Sequence, residues 1–189
     1  FYTGDAGFFD EDGHLVFMDR VSELLELRDG QKFSPQFIES SLRFSPYIKD
    51  AMVLGGKDKP YVSAVLIIDY ENVGKWAEDH KIVYTTFTDL SQKPEVFNLM
   101  QKEVEKTNEL LSITAKVRKF VNLHKEFDPD EAELTRTRKL RRGFMEERYK
   151  ELVDAIYSDK KEIMAEASVR YRDGRTGKIS TSVSIRSLD

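Results

Sequence analysis

Two apolar runs lie close together in this chain, Ile48 to Leu54 and Tyr61 to Ile68, and they constrain its fold more than any other feature. Both carry β-branched residues, which suit a pleated strand. The segment between them, Gly55-Gly56-Lys57-Asp58-Lys59-Pro60, is rich in turn residues. The pattern predicts two central strands paired antiparallel. Neither run can cross a bilayer; even Val62 to Ile68, broken only by Ser63, is far too short.

Flanking segments supply the rest of an α+β outline, a small mixed β-sheet flanked by helices with hairpins at both ends. Residues 1–19 predict a hairpin turning at Glu11-Asp12-Gly13. A second hairpin runs from Leu24 to Phe33 and turns at Arg28-Asp29-Gly30, where glycine supplies positive φ. Ser34-Pro35 is a helix start, with serine at the N-cap and proline in the first turn. Phe37, Ile38 and Leu42 give that helix an inward stripe, and it should stop before Pro46. Further helices are expected over Glu71 to His80, which holds Trp76, and over Pro94 to Leu111, with a threonine-rich loop between them. A strand follows from Lys116 to Leu123, then a polar loop from Phe127 to Leu134. One long helix is expected from Leu140 to Tyr157, and a last hairpin over 167–187 with Asp173-Gly174 and Gly177 in its loop.

Composition removes several function classes. The chain has 189 residues, 40% hydrophobic and 34% charged, enough to bury a real core. Its net charge of −4 argues against general nucleic-acid binding. The absence of cysteine excludes disulfides, thiolate metal sites and a cysteine nucleophile, and suits a reducing cytoplasm. His14, His80 and His124 are scattered, so no metal site is expected. Ser45 and Ser112 lack a Gly-x-Ser-x-Gly elbow. The chain opens on Phe1 and a dense motif, which reads as a piece of a longer protein.

That motif, Tyr2-Thr3-Gly4-Asp5, is followed by Phe17-Met18-Asp19-Arg20. A carboxylate on a loop after a glycine can accept hydrogen bonds from both hydroxyls of a ribose. An arginine downstream can complement the same ribose or its phosphate. A simple turn with a surface ion pair is the alternative. Five of the seven residues from Arg136 to Arg142 are basic. A patch for a polyanion is one reading of that run, but a helix beginning there would scatter the charges.

Taken with Asp29-Gly30-Gln31-Lys32-Phe33-Ser34-Pro35-Gln36-Phe37-Ile38-Glu39, these segments resemble the end of an adenylate-forming enzyme. That superfamily includes acyl-CoA synthetases, peptide-synthetase adenylation domains and luciferases, and the subset most similar is the long-chain fatty acyl-CoA synthetases. The resemblance implies that Asp5 binds the ribose of ATP, Arg20 contacts the nucleotide and Asp19 is the hinge of a swinging C-terminal domain. The turn at Gly30 would line the pantetheine tunnel for coenzyme A. Leu134-Thr135-Arg136-Thr137-Arg138-Lys139-Leu140-Arg141-Arg142 is similar to the family's final motif and makes Lys139 the catalytic lysine. Arg136 stands where the family usually has proline. A rival lysine, Lys178 in Arg175-Thr176-Gly177-Lys178-Ile179, has the wrong spacing and no helix after it.

On this resemblance, residues 1–19 end the large N-terminal domain and form the hinge, 20–157 are the C-terminal lid, and 158–189 are a hairpin extension. The parent uses ATP, Mg²⁺ and coenzyme A on a fatty acid, and this piece is inactive alone. Its partners are these small molecules and the N-terminal domain of the same polypeptide, with no nucleic acid. It is expected in the cytoplasm, with peripheral membrane contact through its substrate. An acyl–acyl-carrier-protein synthetase or another acid–thiol ligase of the same superfamily, and a stand-alone α+β interaction module, are the alternatives.

Overall fold

The computed structural model describes residues 3–128, 130–137, 139–170 and 176–188, without the side chains of 166–170 and 176–179. Tyr2, Arg138, Arg175 and the Asp173-Gly174 turn lie outside the described residues, as do the side chains of Gly177 and Lys178. In chain order the elements are β1 (Asp5–Phe9), β2 (Leu15–Arg20), β3 (Leu25–Glu26), β4 (Lys32–Phe33), α1 (Pro35–Leu42), β5 (Ile48–Leu54) and β6 (Val62–Ile68). They continue with α2 (Tyr70–Asp79), α3 (Phe87–Ser91), α4 (Pro94–Glu109), β7 (Val117–Asn122), α5 (Arg142–Arg148), α6 (Lys150–Ile156), β8 (Glu162–Arg170) and β9 (Thr176–Ser187).

The two apolar runs are the strands β5 and β6, paired antiparallel with Val53 opposite Ala64. Strand β6 then pairs parallel with β7 across the α2–α4 connection, and β7 pairs antiparallel with the end of β9. The result is a mixed five-stranded sheet in the order β5-β6-β7-β9-β8. Alternate residues feed two cores. Ala51, Val53, Leu66, Ile68 and Phe120 face Ile38 and Leu42 of α1, Val73 of α2 and Met100 of α4. Met52, Leu54, Val65, Ile67 and Val121 face Met145 of α5 and Leu152, Val153 and Ile156 of α6. Burial on both faces explains why these strands read as apolar runs rather than as alternation.

The α+β outline holds, and the hairpins β1–β2 and β3–β4 form separate two-stranded sheets. Helix α1 begins as expected: Ser34 Oγ accepts the amide of Phe37 at 3.0 Å, with Pro35 in the first turn. Among the described residues no helix is long and apolar enough to cross a membrane.

Three expectations need correction. The single helix over 140–157 is two, α5 and α6, broken at Tyr149 with φ −100° and ψ 23°. Neither proline nor glycine sits there. The break falls where the Tyr149 hydroxyl donates to buried Glu133 at 2.6 Å, while the bonds Tyr149 N–Met145 O and Val153 N–Tyr149 O run through it. Within the threonine-rich loop, Phe87–Ser91 form a short helix because Thr86 Oγ1 caps the amide of Asp89. The last hairpin begins at Glu162, and Gly177 and Lys178 are in β9, opposite Val169 and Ser168, rather than in its loop. Glu162, Met164, Ala165 and Glu166 favour helix intrinsically, and pairing with β9 overrides that preference.

Candidate functional site

Residues from distant parts of the chain line one open cleft of about 900 Å³. Phe17, Asp19 and Arg20 come from β2, Glu39 from α1, and Lys139 and Arg142 from the segment leading into α5. The cleft therefore has a hairpin wall and a lysine-loop wall, with α1 between them.

The hairpin wall turns on Asp19, which is 3% exposed. Its Oδ2 accepts the Ser34 hydroxyl at 2.7 Å, and its Oδ1 accepts the amide of Arg20. Because Ser34 also caps α1, one hydroxyl joins the end of β2 to the start of the helix. Asp5 lies opposite Arg20 in the β1–β2 ladder and is exposed. Gly4 reaches φ +80°, a value that favours glycine, and its carbonyl accepts the amide of Val21 at 2.9 Å. Asp5 and Arg20 thus project from adjacent strands beside the buried Asp19.

The lysine wall is a tight loop. Thr135 donates its amide to the carbonyl of Lys139 at 2.8 Å, and Thr135 Oγ1 accepts the Lys139 amide at 3.0 Å. Leu134 and Leu140 form an isolated bridge just outside that pair. On the upstream flank Glu133, wholly buried, accepts from Lys125 Nζ at 2.9 Å, the Asp128 amide at 2.7 Å and the Tyr149 hydroxyl. Arg148 Nε joins the same carboxylate at 3.3 Å. Burial and this bond to Glu133 push the Tyr149 phenol above its ordinary value. On the downstream flank Arg142 donates to Glu39 Oε1 at 2.6 Å and to the carbonyl of Val53. Burial raises the Glu39 carboxyl above its ordinary value, against the opposing pull of Arg142 and of the Val53 amide.

Electrostatically, the cations of the cleft fall into two kinds. Arg43 pairs with Asp50 and Arg142 with Glu39. Arg20 and Lys139 line the same space and join no ion pair among the described residues. Such a pair of exposed cations suits the phosphates of a nucleotide.

Of the residues singled out from the sequence, Asp19, Arg20 and Lys139 meet in the cleft, with Asp5 beside them. Gly30 lies elsewhere, in the β3–β4 turn at φ +84°. Nothing lies within 4 Å of where its Cβ would be, so positive φ, not crowding, calls for glycine there. Arg28 ties that turn to the β5–β6 loop through Lys59 O and Asp58 O. Glu39, Glu133 and Arg142 were not singled out for roles. Glu39 could have been noticed, because it stands beside Ile38 and three positions before Leu42, on the helix face that is buried.

A sequence profile of the AMP-binding enzyme C-terminal domain family matches residues 22–161. By sequence the chain is similar to the long-chain-fatty-acid–CoA ligase FadD15 of Mycobacterium tuberculosis, 33% identical over 159 residues, covering 84% of this chain and 26% of that protein. It is similar also to long chain acyl-CoA synthetase 8 of Arabidopsis thaliana, 27% identical over 164 residues, covering 84% of this chain and 22% of that one. The chain thus spans about a quarter of the length of these curated relatives. In fold it is similar to the adenylation domain of a carboxylate reductase from Mycobacterium chelonae, with a TM-score of 0.61 at 24% identity over 83% of this chain and 23% of that one. The profile runs from just past Arg20 through the lysine loop and α6, and the chain belongs to the AMP-binding enzyme C-terminal domain family.

Proposed function

We propose that this chain is the swinging C-terminal lid of an ATP-dependent long-chain fatty acid–CoA ligase. The observation that carries the reading is the convergence of Arg20 and Lys139 on one cleft as cations left out of ion pairs among the described residues. The likeness to long-chain-fatty-acid–CoA ligases supports the choice of substrate class. Residues 1–19 then close the large domain and end in the hinge, 20–157 form the lid, and 158–189 extend its sheet.

In the first half-reaction a carboxylate oxygen of the fatty acid attacks the α-phosphorus of ATP. The bond from that phosphorus to the bridging oxygen breaks, and pyrophosphate leaves with the electron pair. Charge gathers around the α-phosphate, where the compact Lys139 ammonium offsets it. Asp5 accepts the ribose hydroxyls and Arg20 complements the nucleotide. The lid then turns about Asp19 and brings the Gly30 turn to the site. The sulfur of coenzyme A attacks the acyl carbon, the bond to the adenylate oxygen breaks, and AMP leaves. Among the described residues no three acidic or histidine side chains are placed to hold a metal ion. Mg²⁺, if used, would neutralise charge on the ATP phosphates.

The test uses the full-length enzyme, with palmitate as the acid. Lys139→Ala should abolish palmitoyl-adenylate formation and leave thioester formation from preformed palmitoyl-AMP largely intact. Lys178→Ala should change neither. The reverse pattern overturns the assignment of the lysine. This chain alone should show only background pyrophosphate exchange.

A further inference from the structure

We infer that Arg142 and Glu39 form a positioning pair that holds Lys139 at its working place, an inference that rests on the reading of Lys139 as the adenylation lysine. The lysine loop closes on itself through Thr135 and the Leu134–Leu140 bridge, so its internal shape needs nothing outside it. Its position against the sheet is a separate matter. That position is set by what grips its two flanks.

Downstream, the grip is one guanidinium. Arg142 stands three residues after Lys139, at the start of α5, and makes a forked contact with Glu39 Oε1 at 2.6 Å and the carbonyl of Val53. The same Glu39 oxygen accepts the amide of Val53 at 2.8 Å. Strand β5 is an outer strand of the sheet, and here two side chains take the backbone groups that a neighbouring strand would take. The contact joins residues 103 positions apart and is largely withdrawn from water, Glu39 being 6% exposed. A planar fork fixes direction as well as distance, which a lysine cannot do.

Arg142 is no rival to Lys139 for the phosphate. Its charge is already engaged by Glu39, whereas Lys139 is exposed and outside every ion pair among the described residues. It acts through the lysine, by fixing where the loop ends. The same helix that presents Glu39 is capped by Ser34, which also holds Asp19. The hinge carboxylate and the lysine loop therefore share α1 as a common support.

The experiment compares Arg142→Gln, Glu39→Gln and the double variant with Lys139→Ala in the full-length enzyme, using palmitate. Arg142→Gln should lower kcat for adenylate formation by at least about 10-fold, because a displacement of about 1 Å can cost on the order of 10²-fold. Its KM for ATP should move less than about threefold, and thioester formation from preformed palmitoyl-AMP less than about twofold. The double variant should be no worse than Arg142→Gln, since both remove one contact. Equal loss in both half-reactions, or a change confined to the KM for ATP, overturns the positioning role. If Lys139→Ala leaves adenylate formation intact, the underlying lysine assignment falls instead, and the positioning role with it. Should Arg142→Gln fail to fold, Arg142→Lys keeps the charge without the fork and faces the same criteria.

Discussion

On the lysine-loop wall of the cleft, Glu133 gathers Lys125, Arg148, Tyr149 and a backbone amide around one wholly buried carboxylate, while Arg142 and Glu39 grip the other flank. On the hairpin wall, Asp19 bonds Ser34 and the edge of Phe8 meets the ring of Phe37 at 6.4 Å. Beyond those contacts the hairpin presents Phe9, Leu15 and Phe17 to solvent at 72%, 70% and 57% exposure. A two-stranded ribbon is marginal by itself. The contrast separates a wall built into the sheet from a wall tied to α1 and its cap by a few contacts.

The largest test of this contrast is Glu133→Ala. Lys125 and Arg148 keep Glu131 as a partner, but the Asp128 amide and the Tyr149 hydroxyl lose their acceptor, so the chain should be destabilised by about 2–3 kcal/mol in urea unfolding. A loss below about 1 kcal/mol, the size of an exposed pair, would erase the difference between the walls. Asp19→Ala comes next. It leaves the Ser34 hydroxyl only the more distant carbonyl of Met18, at 3.4 Å, as acceptor and should lower stability by about 1–2 kcal/mol. Its effect should also be local: amide exchange should quicken across β1 and β2 and hold steady in β5 and β6. In the unaltered chain the hairpin amides should already exchange faster than those of β5 and β6.

A smaller effect lies in pH. Burial raises the Glu39 carboxyl in the folded chain, so above the ordinary glutamate value the folded state holds more proton than the unfolded one. Stability from this group is therefore fully present at lower pH and falls as pH rises through the window up to the raised value. Glu39→Gln should flatten that part of the stability profile; an unchanged slope would place the titration elsewhere. Smallest of all should be Phe9→Ser on the hairpin. It should alter the stability of this chain by no more than about 0.5 kcal/mol, because the side chain is mostly in water.

The sheet was legible where residues are buried on both faces. Ala51 to Leu54 and Val62 to Ile68 announce themselves because both alternating sets of side chains are buried and, Ser63 apart, apolar. The start of α1 was legible from Ser34-Pro35, a local signal with a local cause. The kink at Tyr149 was not, since its apolar pattern continues unbroken and the tether lies in Glu133, sixteen residues away. Strand β8 hid behind helix-forming residues that only β9 holds extended. At the site, the candidate residues Asp19, Arg20 and Lys139 could be named from motifs. Their supports could not, because no local pattern ties Arg142 to Glu39, or one hydroxyl of Ser34 to both a helix cap and the carboxylate of Asp19.

The contact at Val53 has a consequence for the molecule among its neighbours. An open strand at the margin of a sheet is a template on which another chain can add a strand of its own. With β5 at that margin, the carboxylate of Glu39 and the guanidinium of Arg142 occupy both hydrogen-bonding groups of Val53. A paired carboxylate and guanidinium at the rim also disfavour the approach of an apolar strand. The contact that grips the start of α5 therefore also blocks strand addition at this point of the β5 margin.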